Sequence, residues 1–94
     1  MVAFRDGPGG RRAALAGGPD VADVVGAIVG GNVAVSKRRA RAADLMGLSL
    51  VQVDAAMAYY AEFTEEIDAE LVARAEVAEY EEALWRRQRE LLGR

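Results

Sequence analysis

Residues 64–94 read TEEIDAELVARAEVAEYEEALWRRQRELLGR, and this stretch decides the architecture. It has no Pro and no Gly before Gly93, which predicts one unbroken helix with Thr64 as N-cap and Glu65 and Glu66 in the first turn. From Glu62 to Glu82 there are nine acidic residues against Arg74 alone, whereas Arg86, Arg87, Arg89 and Arg94 gather at the end with only Glu90 opposing. Acid first and base last suits the helix dipole. At 1.5 Å per residue the helix is roughly 43 Å long, and the ~63 residues before it make a globule only ~27 Å across. A third or more of the helix is therefore expected to overhang. On that overhang lie Val77, Tyr80, Leu84 and Leu91, spaced 3, 4 and 7 apart, with Trp85 beside them. Burying each large side chain is worth about 1.5–3 kcal/mol, so the pattern points to a partner surface.

The whole chain is 94 residues, enough for one small domain plus an extension. It contains no Cys and no His, which removes disulfides, thiolate nucleophiles, Cys/His zinc sites and imidazole acid–base chemistry. No catalytic residues, no cofactor, no metal site and no small-molecule substrate are expected. Val21 to Val35 is interrupted by Asp23, Gly26, Gly30, Gly31 and Asn32, so no apolar run reaches membrane-spanning length. The first residues lack the basic and apolar regions of a signal peptide, and a cytoplasmic protein is the expectation. Charge is unevenly spread. Residues 1–61 carry seven basic and five acidic groups (+2), and residues 62–94 carry five basic and ten acidic groups (−5). The two halves face different partners.

Working back from the long helix, residues 1–63 read as a hairpin and three short helices. Val2 to Arg5 and Arg11 to Ala16 flank the turn-rich Asp6-Gly7-Pro8-Gly9-Gly10, a five-residue connection, with Phe4 and Leu15 pointing inward. After Gly17-Gly18-Pro19, Asp20 is placed to cap a helix whose Val21, Val24, Val25, Ile28 and Val29 follow a helical repeat up to Gly30-Gly31. A second helix from about Val33 to Met46 is expected to bury Val35, Ala42, Leu45 and Met46 and to stop at Gly47, with Leu48 in a Schellman contact. Ser49-Leu50-Val51-Gln52 fits a capping box for a third helix burying Leu50, Val53, Ala56, Met57 and Tyr60, with Phe63 closing it against the domain.

Ala43, Gly47 and Val53 stand at helix-turn-helix spacing. The exposed face of the following helix nevertheless offers Val51, Gln52, Asp54, Ala55, Ala58 and Tyr59, with no Arg or Lys to read bases and with Asp54 placed to repel phosphate. A helix-turn-helix used as architecture is the preferred reading. Lys37, Arg38, Arg39 and Arg41, with Arg11 and Arg12 of the hairpin, make a candidate phosphate-contacting surface whose plain alternative is a solvated helix face. Glu62, Glu66 and Glu70 follow at four-residue intervals but lack the His that carboxylate metal sites on helices usually include, so a solvated acidic face is preferred. Trp85-Arg86-Arg87-Gln88-Arg89 is the element most like an interface anchor, because Trp and Arg dominate binding hot spots.

Phe4-Arg5-Asp6-Gly7-Pro8, Gly10-Arg11-Arg12-Ala13, Gly18-Pro19-Asp20-Val21, Leu45-Met46-Gly47-Leu48-Ser49, Gln52-Val53, Ala58-Tyr59-Tyr60-Ala61, Glu66-Ile67-Asp68 and Ala83-Leu84-Trp85-Arg86-Arg87 together span nearly the whole chain. In these motifs it resembles the actinobacterial antitoxin-like proteins related to domain-of-unknown-function family 433. The resemblance implies a type II toxin–antitoxin module in which the chain, similar to VapB-type antitoxins, binds a PIN-like ribonuclease toxin. Such a toxin holds Mg²⁺ or Mn²⁺ on clustered acids, which would give Arg86, Arg87 or Arg89 an electrostatic role and Trp85 an anchoring one. Longer relatives carry an additional N-terminal DNA-binding domain that is not seen in this chain.

The expected fold is mainly α: an N-terminal β-hairpin and three short helices in a winged-helix or helix-turn-helix-like domain over residues 1–63, then one long partner-binding helix over residues 64–94. The expected function is that of a non-enzymatic antitoxin, homodimeric through its compact module, that docks on its toxin through Val77, Tyr80, Leu84, Trp85, Arg86, Arg87, Arg89 and Leu91. The alternative is a small dimeric DNA-binding transcription regulator that contacts duplex DNA through Arg11, Arg12, Lys37, Arg38, Arg39 and Arg41. No membrane partner is expected.

Overall fold

Six elements follow one another in the computed structural model, which describes residues 1–7, 10–29 and 33–94: strands β1 (Val2–Gly7) and β2 (Gly10–Leu15), then helices α1 (Val21–Val29), α2 (Val35–Met46), α3 (Leu50–Glu62) and α4 (Thr64–Leu92). The fold is mainly helical, with the expected hairpin and long final helix. The antiparallel register runs from Val2 opposite Leu15 to Gly7 opposite Gly10. The strands therefore extend further than expected, since Asp6, Gly7 and Gly10 of the expected five-residue connection are strand residues; its remaining residues, Pro8 and Gly9, lie outside the described set. The expected end of α1 at Gly30-Gly31 also lies outside it.

β2 is the inner strand. Ala13, Ala14 and Leu15 are buried, while Phe4, opposite Ala13, sits half-exposed at the rim of the core rather than inside it. Ala14 is covered from the other side by the returning chain, which bridges it to Asp20, and Leu15 N–H donates to the Pro19 carbonyl at 2.9 Å. The core gathers around α1, whose Val21, Val24 and Val25 meet Leu15 of β2, Ala43 of α2, Val53 and Ala56 of α3, and Ile67 of α4. Small residues at Ala42, Ala43 and Ala56 let the short helices approach closely, which suits a chain with few large apolar side chains to fill a core.

Several expected core positions are wet. α2 has twelve residues and packs against the nine-residue α1, so Val35 in its first turn projects past the core and is 78% exposed. Ala42, Ala43 and Met46 define the inward face of α2, leaving Leu45 on its flank at 64% exposure. Val29 and Leu50, at the last position of α1 and the first of α3, are exposed for the same end-of-helix reason. Met57 and Tyr60 pack against the core without being sealed in it.

The turn between α2 and α3 forms as its residues dictate. Gly47 adopts a left-handed conformation (φ 64°, ψ 34°), and its N–H and that of Leu48 both donate to the Ala43 carbonyl. A side chain at Gly47 would meet no atom, so the demand for glycine there is conformational. Ser49 and Gln52 then close the capping box, with Gln52 N–H to Ser49 Oγ at 3.1 Å and Ser49 N–H to Gln52 Oε1 at 2.8 Å.

α3 and α4 are separated by Phe63 alone, whose φ of −122° and ψ of 46° break the helical run. Phe63 is half-exposed and stacks on Tyr59 with ring centroids 4.6 Å apart. Thr64 is not the expected cap. Its hydroxyl donates backwards to the Tyr60 carbonyl at 2.7 Å, and Phe63 occupies the cap position without a side-chain bond. Two phenols brace the joint instead, Tyr59 to Glu66 at 2.9 Å and Tyr60 to Asp68 at 2.6 Å. Burial, reinforced by the Glu66 carboxylate that accepts its proton, pushes the Tyr59 phenol up to about 12.

Candidate functional site

Where α4 leaves the globule is set by two anchors. Ile67 is completely buried and Leu71, one turn on, packs against the core. One further turn brings Arg74, which reaches back to the start of α1 and donates to Asp20 at 2.8 Å and to Asp23. Asp20 is buried and also lies 3.5 Å from Arg12 and 3.7 Å from Arg5. Its carboxylate was expected to cap α1; it instead faces three guanidinium groups, one from each strand and one from α4. A buried carboxylate needs such partners, and meeting them fixes the direction in which α4 departs. This cluster was not singled out in the sequence, although a lone Arg in an acidic run, seven residues past the inward Ile67, was its signal.

Beyond Arg74 every residue of α4 from Ala75 onward is exposed. The eighteen helical residues from Ala75 to Leu92 run on for about 27 Å, in a molecule measuring 53 × 32 × 23 Å. Along one side runs an apolar seam in which Val77, Leu84 and Leu91 repeat every seven residues, with Tyr80 between the first two. Their exposures are 56%, 44%, 47% and 66% respectively, so the described residues bury none of them. The seam starts in a groove of about 630 Å³ between hairpin and helix, lined by Arg11, Arg12, Glu70, Ala73, Arg74, Val77, Ala78 and Glu81. Within it Arg12 Nε and Glu70 Oε2 are buried without hydrogen-bond partners, and burial pushes the Glu70 carboxyl above its usual range.

Trp85 is 55% exposed and lies one position round the helix from the seam, with the Arg89 guanidinium 4.8 Å from its ring centroid. Arg86 stands 3.9 Å from Glu82 and Arg87 3.2 Å from Glu90. Exposed pairs of this kind are worth a few tenths of a kcal/mol, so they leave both arginines free to change partners. All eight residues expected to form the partner surface thus lie on the overhang, with the arginines beside and between the apolar positions.

The six basic residues proposed for DNA are not brought together in the same way. Arg39 makes a two-pronged contact with Asp54, Nη2 to Oδ2 at 2.6 Å, which lowers the carboxyl and raises the guanidinium. Asp54 is thereby neutralised by the patch it was expected to oppose. Arg38 donates to the Val33 carbonyl at 3.0 Å, Arg12 faces Asp20, and Arg11 lies over the Phe4 ring at 4.0 Å. Lys37 and Arg41 make no ion pair among the described residues. With Arg12 and Arg39 paired to carboxylates, four dispersed cations form a weaker phosphate surface than six aligned ones.

Among the described residues no three acidic side chains converge as a metal site; Glu66 is engaged by Tyr59. No helix of the described residues is long and apolar enough to cross a membrane. Comparison with known protein families, curated proteins and solved structures finds no match to this chain.

Proposed function

We propose that the chain is a non-enzymatic binding protein that acts as the antitoxin of a cytoplasmic type II toxin–antitoxin pair and neutralises a PIN-like ribonuclease by docking α4 on it. The observation that carries this reading is the overhang: a rigid helix aimed away from its own core, with an uncovered apolar seam and an arginine-rich end. Val77, Tyr80, Leu84 and Leu91 supply buried area, Trp85 an anchor, and Arg86, Arg87 and Arg89 the charge that would cover clustered carboxylates around the toxin's metal. The likeness of the sequence motifs to VapB-type antitoxins supports the partner class. The mechanism is occlusion, with no chemistry by this chain. The regulator reading is weaker, because Arg12 and Arg39 are already paired with carboxylates and α3 presents no basic residue.

The test is co-expression with the product of the adjacent reading frame, followed by ribonuclease assays with Arg86→Ala, Arg87→Ala and Arg89→Ala. Copurification with loss of neutralisation in these variants supports the proposal, and unchanged neutralisation by all three removes the electrostatic role. Salt-dependent binding of the isolated protein to duplex DNA, with no toxin captured, would transfer the case to the regulator.

A further inference from the structure

We propose that α4 pairs with α4 of a second copy of this chain, antiparallel and about a two-fold axis through Leu84, so that each copy covers the other's seam in the free protein. Six of the eight charges of the overhang invert about this residue, while Glu76 and Glu90 mirror Leu92 and Ala78. Glu82, Glu81 and Glu79 lie two, three and five positions before Leu84, and Arg86, Arg87 and Arg89 lie two, three and five positions after it, with Val77 and Leu91 seven positions to either side. A two-fold axis through Leu84 brings each position before it level with the equidistant position after it on the other copy. Every one of those acids then stands level with a base, and Val77 stands level with Leu91. A parallel pair in register would instead set acid beside acid and base beside base.

Distance makes the match effective. Packed helices lie about 8–10 Å apart, within the ~8 Å Debye length at physiological salt or close to it. Glu81 and Arg87 flank the seam directly; Glu79, Glu82, Arg86 and Arg89 sit further round and contribute field rather than contact. The pairs within one helix, Arg86 with Glu82 and Arg87 with Glu90, are exposed and offer little competition.

The shape of the protomer agrees with the same axis. The exposed part of the helix, Ala75 to Leu92, has its midpoint at Ala83-Leu84. Two overhangs paired there overlap along their full length, and the globules fall at opposite ends, clear of one another. Leu91 of the second copy then arrives at the level of Val77, at the mouth of the groove beside Ala73 and Arg74. A seam of this length buries an area at the low end for specific dimers, so association in the micromolar range is expected. Self-pairing is independent of the antitoxin reading: either can fail while the other holds, and where both hold a partner must displace the second copy.

The chain has no cysteine, which makes single-cysteine probes unambiguous. Sedimentation equilibrium of the full chain from about 1 to 200 μM should show a monomer–dimer equilibrium, weakened at least about tenfold by Leu84→Asp, with circular dichroism confirming that the variant stays helical. Oxidising an equimolar mixture of Val77→Cys and Leu91→Cys chains should give the mixed 77-to-91 disulfide, and neither variant alone should cross-link. Arg86→Glu with Arg87→Glu should be monomeric alone and dimeric when mixed with Glu81→Arg with Glu82→Arg. A monomer at every concentration, a dimer indifferent to Leu84→Asp, or cross-links of 77 to 77 and 91 to 91 would each overturn the proposal.

Discussion

The residues up to Arg74 and those after it obey opposite rules. In the globule, the sealed core is built from Ala and Val side chains with Leu15 and Ile67, and the buried carboxylate of Asp20 is surrounded by Arg5, Arg12 and Arg74. On the overhang large apolar side chains, Tyr80, Leu84 and Trp85 among them, stand exposed to water. The difference teaches that size of side chain does not decide burial here. What decides is how many elements surround a position: α1 has neighbours on most sides, whereas α4 beyond Arg74 borders only the hairpin groove at its first turns and no other described element further on. The globule is a mount, and the helix is what it holds out.

The largest effect should come from the point where mount and rod join. Ile67→Ala empties a fully buried site and is expected to lower the unfolding free energy by about 2–5 kcal/mol, measured by urea denaturation. A loss under about 1 kcal/mol would mean that α4 is not seated in the core. Arg74→Ala leaves Asp20 with two more distant guanidinium groups and should cost about 1–2 kcal/mol, less than a lone buried pair because Arg5 and Arg12 remain. If the departure of α4 depends on this contact, small-angle scattering should also show a broader distribution of maximum dimensions in the variant. Gly47→Ala forces a side chain into left-handed backbone and should cost about 1 kcal/mol in the same denaturation experiment, confined to the mount.

A separate effect should appear in alkali. The folded Tyr59 phenol titrates near 12 and the unfolded one near its ordinary value of 10, so the folded state holds the proton more tightly. The stability this confers is complete below pH 10 and is lost as pH rises from 10 to 12; in Tyr59→Phe that part of the pH dependence should vanish. The smallest effect belongs to the overhang. Leu84→Ala, measured on the monomer at low concentration, should change stability by no more than about 0.5 kcal/mol, although the same substitution in a core would cost several times that. A larger loss would show that the seam folds onto its own protomer and would erase the contrast between the two regions.

Helices α1, α3 and α4 and the turn at Gly47 were legible because each is announced by local chemistry: a helical apolar repeat from Val21, a capping box at Ser49, and a left-handed glycine after Met46. The exposed seam was legible for a different reason, since a long helix on a short globule must outreach it. Misreadings cluster at the ends of elements and at shared side chains. Val35, Leu45 and Leu50 have the right residue type for a core, but whether a helix end is covered depends on the lengths of its neighbours. Thr64 had the right chemistry for a cap, yet α3 runs so close to α4 that the nearer acceptor is the carbonyl of Tyr60. Asp20 likewise turned from the helix end to arginines 8, 15 and 54 positions away in the chain.

Sequence alone thus determined the periodic parts of this protein, the turn at Gly47 and the reversal of charge along its last helix, since each depends on interactions between residues a few positions apart. Only the tertiary structure decided which arginines are committed, Arg74 and Arg12 to Asp20 and Arg39 to Asp54, and at which residue α4 leaves cover. Those outcomes depend on which groups from distant segments meet in space, and a buried charge accepts whichever partners the packing of the whole chain brings within reach.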